Sequence, residues 1–180
     1  NWPPKLLIAD EVGLGKTVQA GLLLRQAWLS GRIKRALVLA PKNVCKQWQI
    51  ELREKFNLNW PIYDGHKLTW YRSPAREHDY ERPVSRQDWH REPFVIMSSE
   101  ILEGADPYDL VVLDEAHHAR TKGAGTPQAK GPNRLLQLMR SLRRRTDGLI
   151  LLTATPLQVH ATELWDLLDL LGLPAAWTPD

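Results

Sequence analysis

A glycine-rich run near the start of the chain has the residue types of a phosphate-binding loop. The apolar segment Lys5 to Ala9 leads into Asp10-Glu11-Val12-Gly13-Leu14-Gly15-Lys16-Thr17, and a helical pattern follows. In this context, backbone N–H groups and a helix N-terminus can bind phosphates. The Lys16 ammonium can reach the outer phosphates, and the Thr17 hydroxyl can hold magnesium. The strict motif has a glycine at the position of Asp10, so a glycine-rich turn that binds nothing stays open as an alternative.

A pair of adjacent carboxylates follows a second apolar run. Tyr108 to Leu113 leads into Asp114-Glu115-Ala116-His117-His118. In a parallel sheet, ligands bind at the C-terminal ends of the strands. Asp114 is therefore placed to bind magnesium through water, and Glu115 to orient or deprotonate the water that attacks a γ-phosphate. The alternative is a solvated strand end whose acids complement a helix N-terminus.

The two adjacent histidines after these carboxylates do not indicate a zinc site. Neighbouring side chains on a helix or loop point in different directions, and no third ligand follows His117 and His118 at a suitable spacing.

Hydrophobic periodicity predicts the elements that must position these residues. Runs rich in Val, Ile and Leu predict strands buried on both faces, at 5–9, 36–40, 94–97, 110–113 and 149–153. Helical patterns lie between them, at 17–29, 44–56, 135–144 and 162–171. Alternation of strand and helix predicts an α/β fold of three layers, with helices on both faces of a mostly parallel sheet.

Two stretches interrupt this alternation. Residues 64–92 carry six basic and six acidic side chains and are expected to form a surface insertion, flanked by Trp60, Trp70 and Trp89. Those tryptophans are expected to pin the insertion more than to bind nucleic acid. Residues 121–133 consist of small and polar types that cannot pack a core, so this stretch is expected to be a mobile loop.

Composition bounds the class of protein. The 180 residues are enough for one domain, and 43% hydrophobic residues can form a core. The charge is nearly balanced, with 24 Lys and Arg against 21 Asp and Glu. No apolar run reaches the roughly 18 residues that span a bilayer, and the first residues lack the features of a signal peptide. The single cysteine, Cys45, permits no internal disulfide, which fits a cytoplasmic protein.

Taken together, the motifs resemble those of the helicase-like ATPases of superfamily two, and among them the Swi/Snf-type translocases on double-stranded DNA. In that family an aspartate in place of the first loop glycine is usual. The form of the loop and the double histidine are closest to a bacterial branch that includes an RNA-polymerase-recycling ATPase. The segments similar to motifs I, Ia, Ib, II and III are, in order, Asp10 to Thr17, Leu37 to Pro41 with Gln47-Trp48, Ser98 to Glu100, Asp114 to His117, and Thr153 to Gln158.

The resemblance implies the first RecA-like lobe of a P-loop NTPase that uses ATP and Mg²⁺ and binds double-stranded DNA. It implies Lys16 and Glu115 as catalytic residues. The residues that it implies for nucleotide binding are Gly13, Leu14, Gly15, Lys16, Thr17 and Val18. It implies Thr17 and Asp114 as metal ligands, and His117, Thr153, Ala154 and Thr155 as residues that couple the nucleotide to DNA. The implied DNA contacts are Pro41, Lys42, Asn43, Ser98 and Ser99.

The resemblance also implies partners outside the chain. In the family, ATP binds between two lobes, and an arginine finger of the second lobe raises the rate by roughly 10³- to 10⁵-fold. Motifs of that lobe do not follow Gly172. The chain is therefore expected to be part of a longer protein and to hydrolyse ATP weakly on its own. The expected partners are double-stranded DNA, the second lobe, and RNA polymerase or a phage-defence complex, in a nucleoid-associated protein without a membrane anchor.

Several residues have a competing structural interpretation. Residues 120–146 carry eight basic side chains and no acidic one, which favours either a phosphate backbone or a solvated helix end. Ser98 and Ser99 have the residue types of an ordinary turn as well as those of a DNA contact. Trp48 lies at four-residue spacing with other apolar residues and is expected in the core.

Other functions are compatible with parts of the sequence. A strand-separating helicase subunit of a defence or restriction system would use the same motifs, although Leu14 stands where RNA helicases of the DEAH type usually have serine. A binding module with a vestigial ATP site would have no chemical need for Glu115. A small-molecule kinase lacks a visible acceptor pocket and leaves Thr153-Ala154-Thr155 unexplained.

Overall fold

The predicted alternation of strands and helices is present in the computed structural model. It describes residues 2–10, 13–74, 77–103, 107–121, 131–154 and 161–172. The helices are α1 Lys16–Leu29, α2 Cys45–Phe56, α3 Arg134–Arg143 and α4 Ala161–Leu171. The strands are β1 Lys5–Ala9, β2 Ala36–Ala40, β3 Ile62–Tyr63, β4 Lys67–Thr69, β5 Glu81–Pro83, β6 Phe94–Ser98, β7 Leu110–Leu113 and β8 Gly148–Thr153.

All eight strands form one sheet in the order β1-β8-β7-β2-β6-β3-β4-β5. In this spatial order, the first five pairings, from β1 through β8, β7, β2 and β6 to β3, are parallel. The last two, β3 with β4 and β4 with β5, are antiparallel. The mostly parallel sheet confirms the predicted fold class. Strands β2, β7 and β8 are fully buried. Strand β1 is partly exposed, contrary to its apolar pattern, because it lies at the sheet edge with β8 as its strand neighbour.

Alternate residues of each central strand enter two separate cores. On one face of the sheet, the even-numbered residues of the central strands, such as Val38 and Val112, pack with α1 and α2. On the other, Leu37 and Leu39 pack in a cluster with α3 and α4. This alternation follows from the two-residue period of a strand. The result is the expected arrangement of three layers, with Leu167 and Leu170 of α4 packed in the second core.

The expectation of a surface insertion at 64–92 needs correction. Strands β4 and β5 lie in this stretch and continue the main sheet by antiparallel pairing. Leu68, Trp70 and Trp89 are buried and belong to the core cluster that includes α3 and α4. Burial of these apolar side chains stabilises the stretch against the sheet. Most of the charged side chains that the structure describes in this stretch are exposed. The expectation that its tryptophans anchor it is confirmed for Trp70 and Trp89.

The ends of the stretch 121–133 are held in place. Thr121 and Pro132 form an isolated antiparallel bridge. Asn133 caps α3, because its Oδ1 accepts from the N–H of Leu136 at 2.9 Å. The predicted mobile loop falls mainly on residues 122–130, which lie outside the described residues. Over the part of the chain that the structure describes, no helix combines the length and hydrophobicity that crossing a bilayer requires.

Candidate functional site

The candidate residues meet at the C-terminal ends of β1, β8 and β7 because these three strands are adjacent and parallel. Strand β1 leads to the glycine loop, β7 leads to Asp114 and Glu115, and β8 ends at Thr153. Ala9 pairs with Thr153, and Leu113 pairs with Leu151. The topology therefore brings together three segments that are far apart in sequence, at the edge where ligands of parallel sheets bind.

The glycine loop adopts a conformation that other residues rarely adopt. Gly13 has φ 86° and Gly15 has φ 83°, both in the left-handed region. A Cβ placed on Gly13 would meet no atom within 4 Å, so the space beside the loop is open. Gly15 precedes α1, whose first turn has no side-chain cap. Backbone N–H groups at this helix start can therefore face a phosphate. Glu11 and Val12 lie outside the described residues.

The loop and the first turns of α1 are tied together through Asp10. The Nζ of Lys16 donates to the backbone carbonyl of Asp10 at 2.7 Å, and the Nε2 of Gln19 donates to Oδ2 of Asp10 at 2.9 Å. These bonds hold the ammonium of Lys16 and the start of α1 against the end of β1. Gln19 was not among the sequence-predicted residues, because a glutamine one turn into a helix carries no separate sequence signal. Thr17 and Val18 are half-buried on the same first turn.

Asp114 is held in place through both carboxylate oxygens. Its Oδ2 accepts from Nε1 of Trp48 at 2.8 Å, and its Oδ1 accepts from the N–H of Glu115 at 2.9 Å. Its own N–H donates to the carbonyl of Leu39 at 2.8 Å, which continues the contact of β7 with β2. Trp48 is fully buried, as its spacing predicts, but its bond to Asp114 joins residues 66 positions apart and has no sequence signal.

Glu115 has a left-handed backbone, with φ 49° and ψ 48°. Its Oε2 lies 3.3 Å from Nδ1 of His117, and the same nitrogen lies 3.3 Å from the hydroxyl oxygen of Thr153. Three of the predicted catalytic and coupling residues are therefore in contact. Ala154 follows and is half-buried, whereas Thr155 lies outside the described residues.

The predicted DNA-contacting residues lie at the C-terminal ends of β2 and β6, which are neighbours in the sheet, with Ser98 as the last residue of β6. Lys42 and Asn43 are exposed, and Pro41 and Ser99 are half-buried. The N–H of Ser99 donates to the carbonyl of Ala40 at 3.0 Å, so the two turns lie side by side. Ser98 differs from the others: it is 5% exposed, and its hydroxyl accepts from the N–H of Glu100 at 3.2 Å. This geometry favours the turn interpretation for the Ser98 side chain.

Part of the basic stretch 120–146 is neutralised within the protein. Arg140 pairs with Asp166 at 3.2 Å and with Asp169 at 3.4 Å, and Arg143 pairs with Asp169 at 3.2 Å. Arg134 donates to two backbone carbonyls after β6. The bonds of Arg140 and Arg143 join α3 to α4, and those of Arg134 join α3 to the segment after β6. Neither a field directed at DNA nor a solvated helix end therefore describes all of this stretch.

Comparison with known proteins places these features in a family. The family model for the SNF2-related domain matches residues 3–180. The RNA polymerase-associated protein RapA of Actinobacillus pleuropneumoniae (serotype 3) is 34% identical over 165 residues, 87% of this chain and 16% of that protein. RapA of Vibrio parahaemolyticus is 38% identical over 165 residues, covering 87% of this chain and 15% of that protein.

Two solved structures share the fold. A SWI2/SNF2 ATPase core of Sulfolobus solfataricus in complex with dsDNA aligns with a TM-score of 0.63 and 21% identity, over 93% of this chain and 31% of that one. The UvsW helicase of bacteriophage T4 aligns with a TM-score of 0.54 and 11% identity, over 90% of this chain and 51% of that one. The chain thus spans a minor part of the curated relatives. It belongs to the SNF2-related domain family, as a RecA-like ATPase lobe of the Swi/Snf type in superfamily two.

Proposed function

We propose that the chain is the first motor lobe of a DNA-dependent ATPase that moves along double-stranded DNA. One arrangement carries this proposal: the glycine loop, the Asp114-Glu115 pair and Thr153 lie at the ends of three adjacent parallel strands. Both parts of an NTP site are thus next to the residue that begins motif III. A second lobe of the full-length protein would complete the site and supply an arginine finger, so the lobe alone hydrolyses ATP weakly.

The residues around the glycine loop fit a magnesium nucleotide. The open space beside Gly13 leaves room for phosphates, and backbone N–H groups of the loop and of the first turn of α1 would bind them. Lys16 then exchanges the carbonyl of Asp10 for phosphate oxygens. Thr17 and Asp114 would hold magnesium, since hydroxyl and carboxylate oxygens are its preferred protein ligands. Magnesium, when bound, neutralises charge on the phosphates.

Glu115 is proposed to orient the attacking water and accept its proton. Its carboxylate is half-buried and contacts His117, which in turn contacts Thr153. Glu115 and Lys16 are therefore the proposed catalytic residues. His117, with Thr153, Ala154 and Thr155, would pass the state of the nucleotide to the DNA-contacting turns.

The proposed DNA surface consists of the turns after β2 and β6. The exposed Lys42 and Asn43 can contact phosphates without reading bases, and Pro41 and Ser99 flank them. For Ser98 we propose a structural role in the turn. The SWI2/SNF2 core that shares this fold is in complex with dsDNA, and the RapA relatives are RNA polymerase-associated proteins. We therefore infer a cytoplasmic, nucleoid-associated protein whose further partner is RNA polymerase.

The test is ATP turnover by the full-length protein with and without double-stranded DNA, with single-stranded DNA and RNA as controls. Turnover should rise with duplex DNA, and Glu115→Gln should abolish it while nucleotide binding persists. Lys16→Ala should weaken nucleotide binding. Stimulation by single strands or RNA alone would contradict the translocase and favour a strand-separating helicase. Nucleotide binding without turnover under any condition would favour a binding module with a vestigial site.

A further inference from the structure

A buried tryptophan contacts the candidate magnesium ligand from inside the core. Nε1 of Trp48 donates to Oδ2 of Asp114 at 2.8 Å, and Trp48 itself has no exposed surface. An indole N–H can donate but cannot accept, so its partner must present a lone pair, as an ionised carboxylate does at either oxygen. The bond therefore holds one carboxylate oxygen of Asp114 from inside the core.

The other carboxylate oxygen of Asp114 is held as well, so the orientation of the whole group is fixed. The second oxygen, Oδ1, accepts from the N–H of Glu115 at 2.9 Å. Rotation about the terminal torsion of an aspartate is otherwise broad. Two donors from different segments restrict that rotation. Each carboxylate oxygen has two lone pairs, so both oxygens of Asp114 keep one for a metal or for a water bound to it.

Trp48 can serve as a fixed reference because α2 and the sheet hold it. The backbone N–H of Trp48 donates to the carbonyl of Val44, the N-cap residue of α2, at 3.0 Å. Leu52 and Phe56, four and eight positions further along α2, belong to the same buried cluster. The position of the indole therefore depends on the core and not on a ligand, and Asp114 is oriented before a nucleotide arrives.

We propose that Trp48 is a positioning residue for magnesium, which acts through the carboxylate of Asp114 without touching the nucleotide. This inference rests on the proposed function, because it takes Asp114 as a magnesium ligand. Partners that orient metal ligands typically change metal affinity or activity by about 10- to 100-fold when they are replaced. The proposal predicts that loss of the indole N–H raises the magnesium requirement and leaves other binding energy in place.

The test measures equilibrium binding of a fluorescent ADP analogue to the full-length protein as magnesium is titrated, without turnover. In Trp48→Phe, the magnesium concentration for half-maximal binding should rise about 10-fold or more. Binding of the same analogue in EDTA should be unchanged. Trp60→Phe is the matched control: Trp60 is a buried tryptophan of the same cluster, stacked on Phe94 at 4.9 Å, and its replacement should not alter the magnesium requirement.

Two further variants separate positioning from packing. Replacement of Trp48 by 3-benzothienylalanine keeps the shape of the ring and removes the N–H, so it should raise the magnesium requirement as Trp48→Phe does. In an Asp114→Asn background, Trp48→Phe should add no further change, because the proposed effect passes through the carboxylate.

The outcomes distinguish this inference from the proposed function. If the unmodified protein shows no magnesium-dependent nucleotide binding, both are overturned. If it does, and either N–H-free variant keeps the normal magnesium requirement, the inference alone is overturned. An additive effect of Trp48→Phe in the Asp114→Asn background would also overturn it, since it would reveal a route that bypasses the carboxylate.

Discussion

The Nδ1 atom of His117 lies 3.3 Å from the hydroxyl oxygen of Thr153. His117 belongs to the segment after β7, and Thr153 is the last residue of β8. The same nitrogen lies 3.3 Å from Oε2 of Glu115. A change at the carboxylate therefore has a direct route to the residue that begins motif III. This contact is already formed in the chain without a second lobe.

Thr153→Val tests whether the contact couples hydrolysis to DNA. Valine has a similar shape and removes the hydroxyl, so the strand should stay intact. DNA-stimulated turnover of the full-length protein should fall about 2- to 10-fold, the range expected for the loss of one hydrogen bond. The ATP concentration for half-maximal rate should not change. An equal fall of the rates with and without DNA would contradict a coupling role.

Gly21→Ala should destabilise the chain through the contact of α1 with α2. A Cβ at Gly21 would lie 2.7 and 2.8 Å from Cδ2 and Cζ of Phe56, and closer still to Cε2. Overpacking typically costs about 1–3 kcal/mol, and the gain in helix propensity offsets about 1 kcal/mol. Urea unfolding should therefore show a net loss of up to about 2 kcal/mol. In a Phe56→Leu background the clash is relieved, so Gly21→Ala should be neutral or stabilise the chain by up to about 1 kcal/mol; an undiminished loss in the double variant would refute the steric explanation.

Asp166 and Asp169 offer a comparison of a buried with an exposed ion pair. Asp166 is 4% exposed and accepts from the N–H of Thr121 at 2.6 Å and from Arg140 at 3.2 Å. The side chain of Asp169 is 38% exposed. Asp166→Asn should lower the free energy of unfolding by about 2–3 kcal/mol, and Asp169→Asn by about 0–1 kcal/mol. Equal losses of unfolding free energy, measured in urea, would show that burial does not determine how much each of these ion pairs contributes.

The thiol of Cys45 should make stability depend on alkaline pH. Burial raises the pKa of this thiol from 9.0 to about 11, with smaller contributions from the nearby charges of Glu100 and Asp114. Because the folded thiol stays protonated to higher pH than the unfolded one, its contribution is present below pH 9 and is lost as the pH rises toward 11. The stability advantage over Cys45→Ala should shrink by about 2–3 kcal/mol across that interval.

Alkylation rates check the same pKa by a second route. The thiolate is the nucleophile, so native Cys45 should react with iodoacetamide about 100-fold more slowly than in urea at a pH below 9. Rapid labelling of the native chain would mean that Cys45 is accessible to the reagent and that the pKa of its thiol is not raised.

The sequence predicts the long elements closely because each has a full hydrophobic period. The helix expected at 17–29 spans Lys16–Leu29, and the one expected at 162–171 spans Ala161–Leu171. Strands β3 to β5 escape detection, since two- and three-residue strands are too short to show a period. Strand β5, Glu81-Arg82-Pro83, has no apolar residue except proline and owes its conformation to pairing with β4.

The candidate site divides in a similar way. Local motifs predict Lys16, Thr17, Asp114 and Glu115 as site residues, because each motif is contiguous in sequence. The bond from Trp48 to Asp114 and the pairing of Arg140 with Asp166 join distant segments. Such contacts depend on how helices lie on the sheet, which spacing within one element does not determine.

The left-handed backbone of Glu115 sets the demands of folding against the catalytic role proposed for this residue. Glycine or asparagine would adopt φ 49° with less strain than glutamate does. The amino acid that best suits the turn is therefore not the one that can accept a proton from water. Glu115→Gly should therefore relieve strain in this turn and at the same time remove the carboxylate on which the proposed hydrolysis depends.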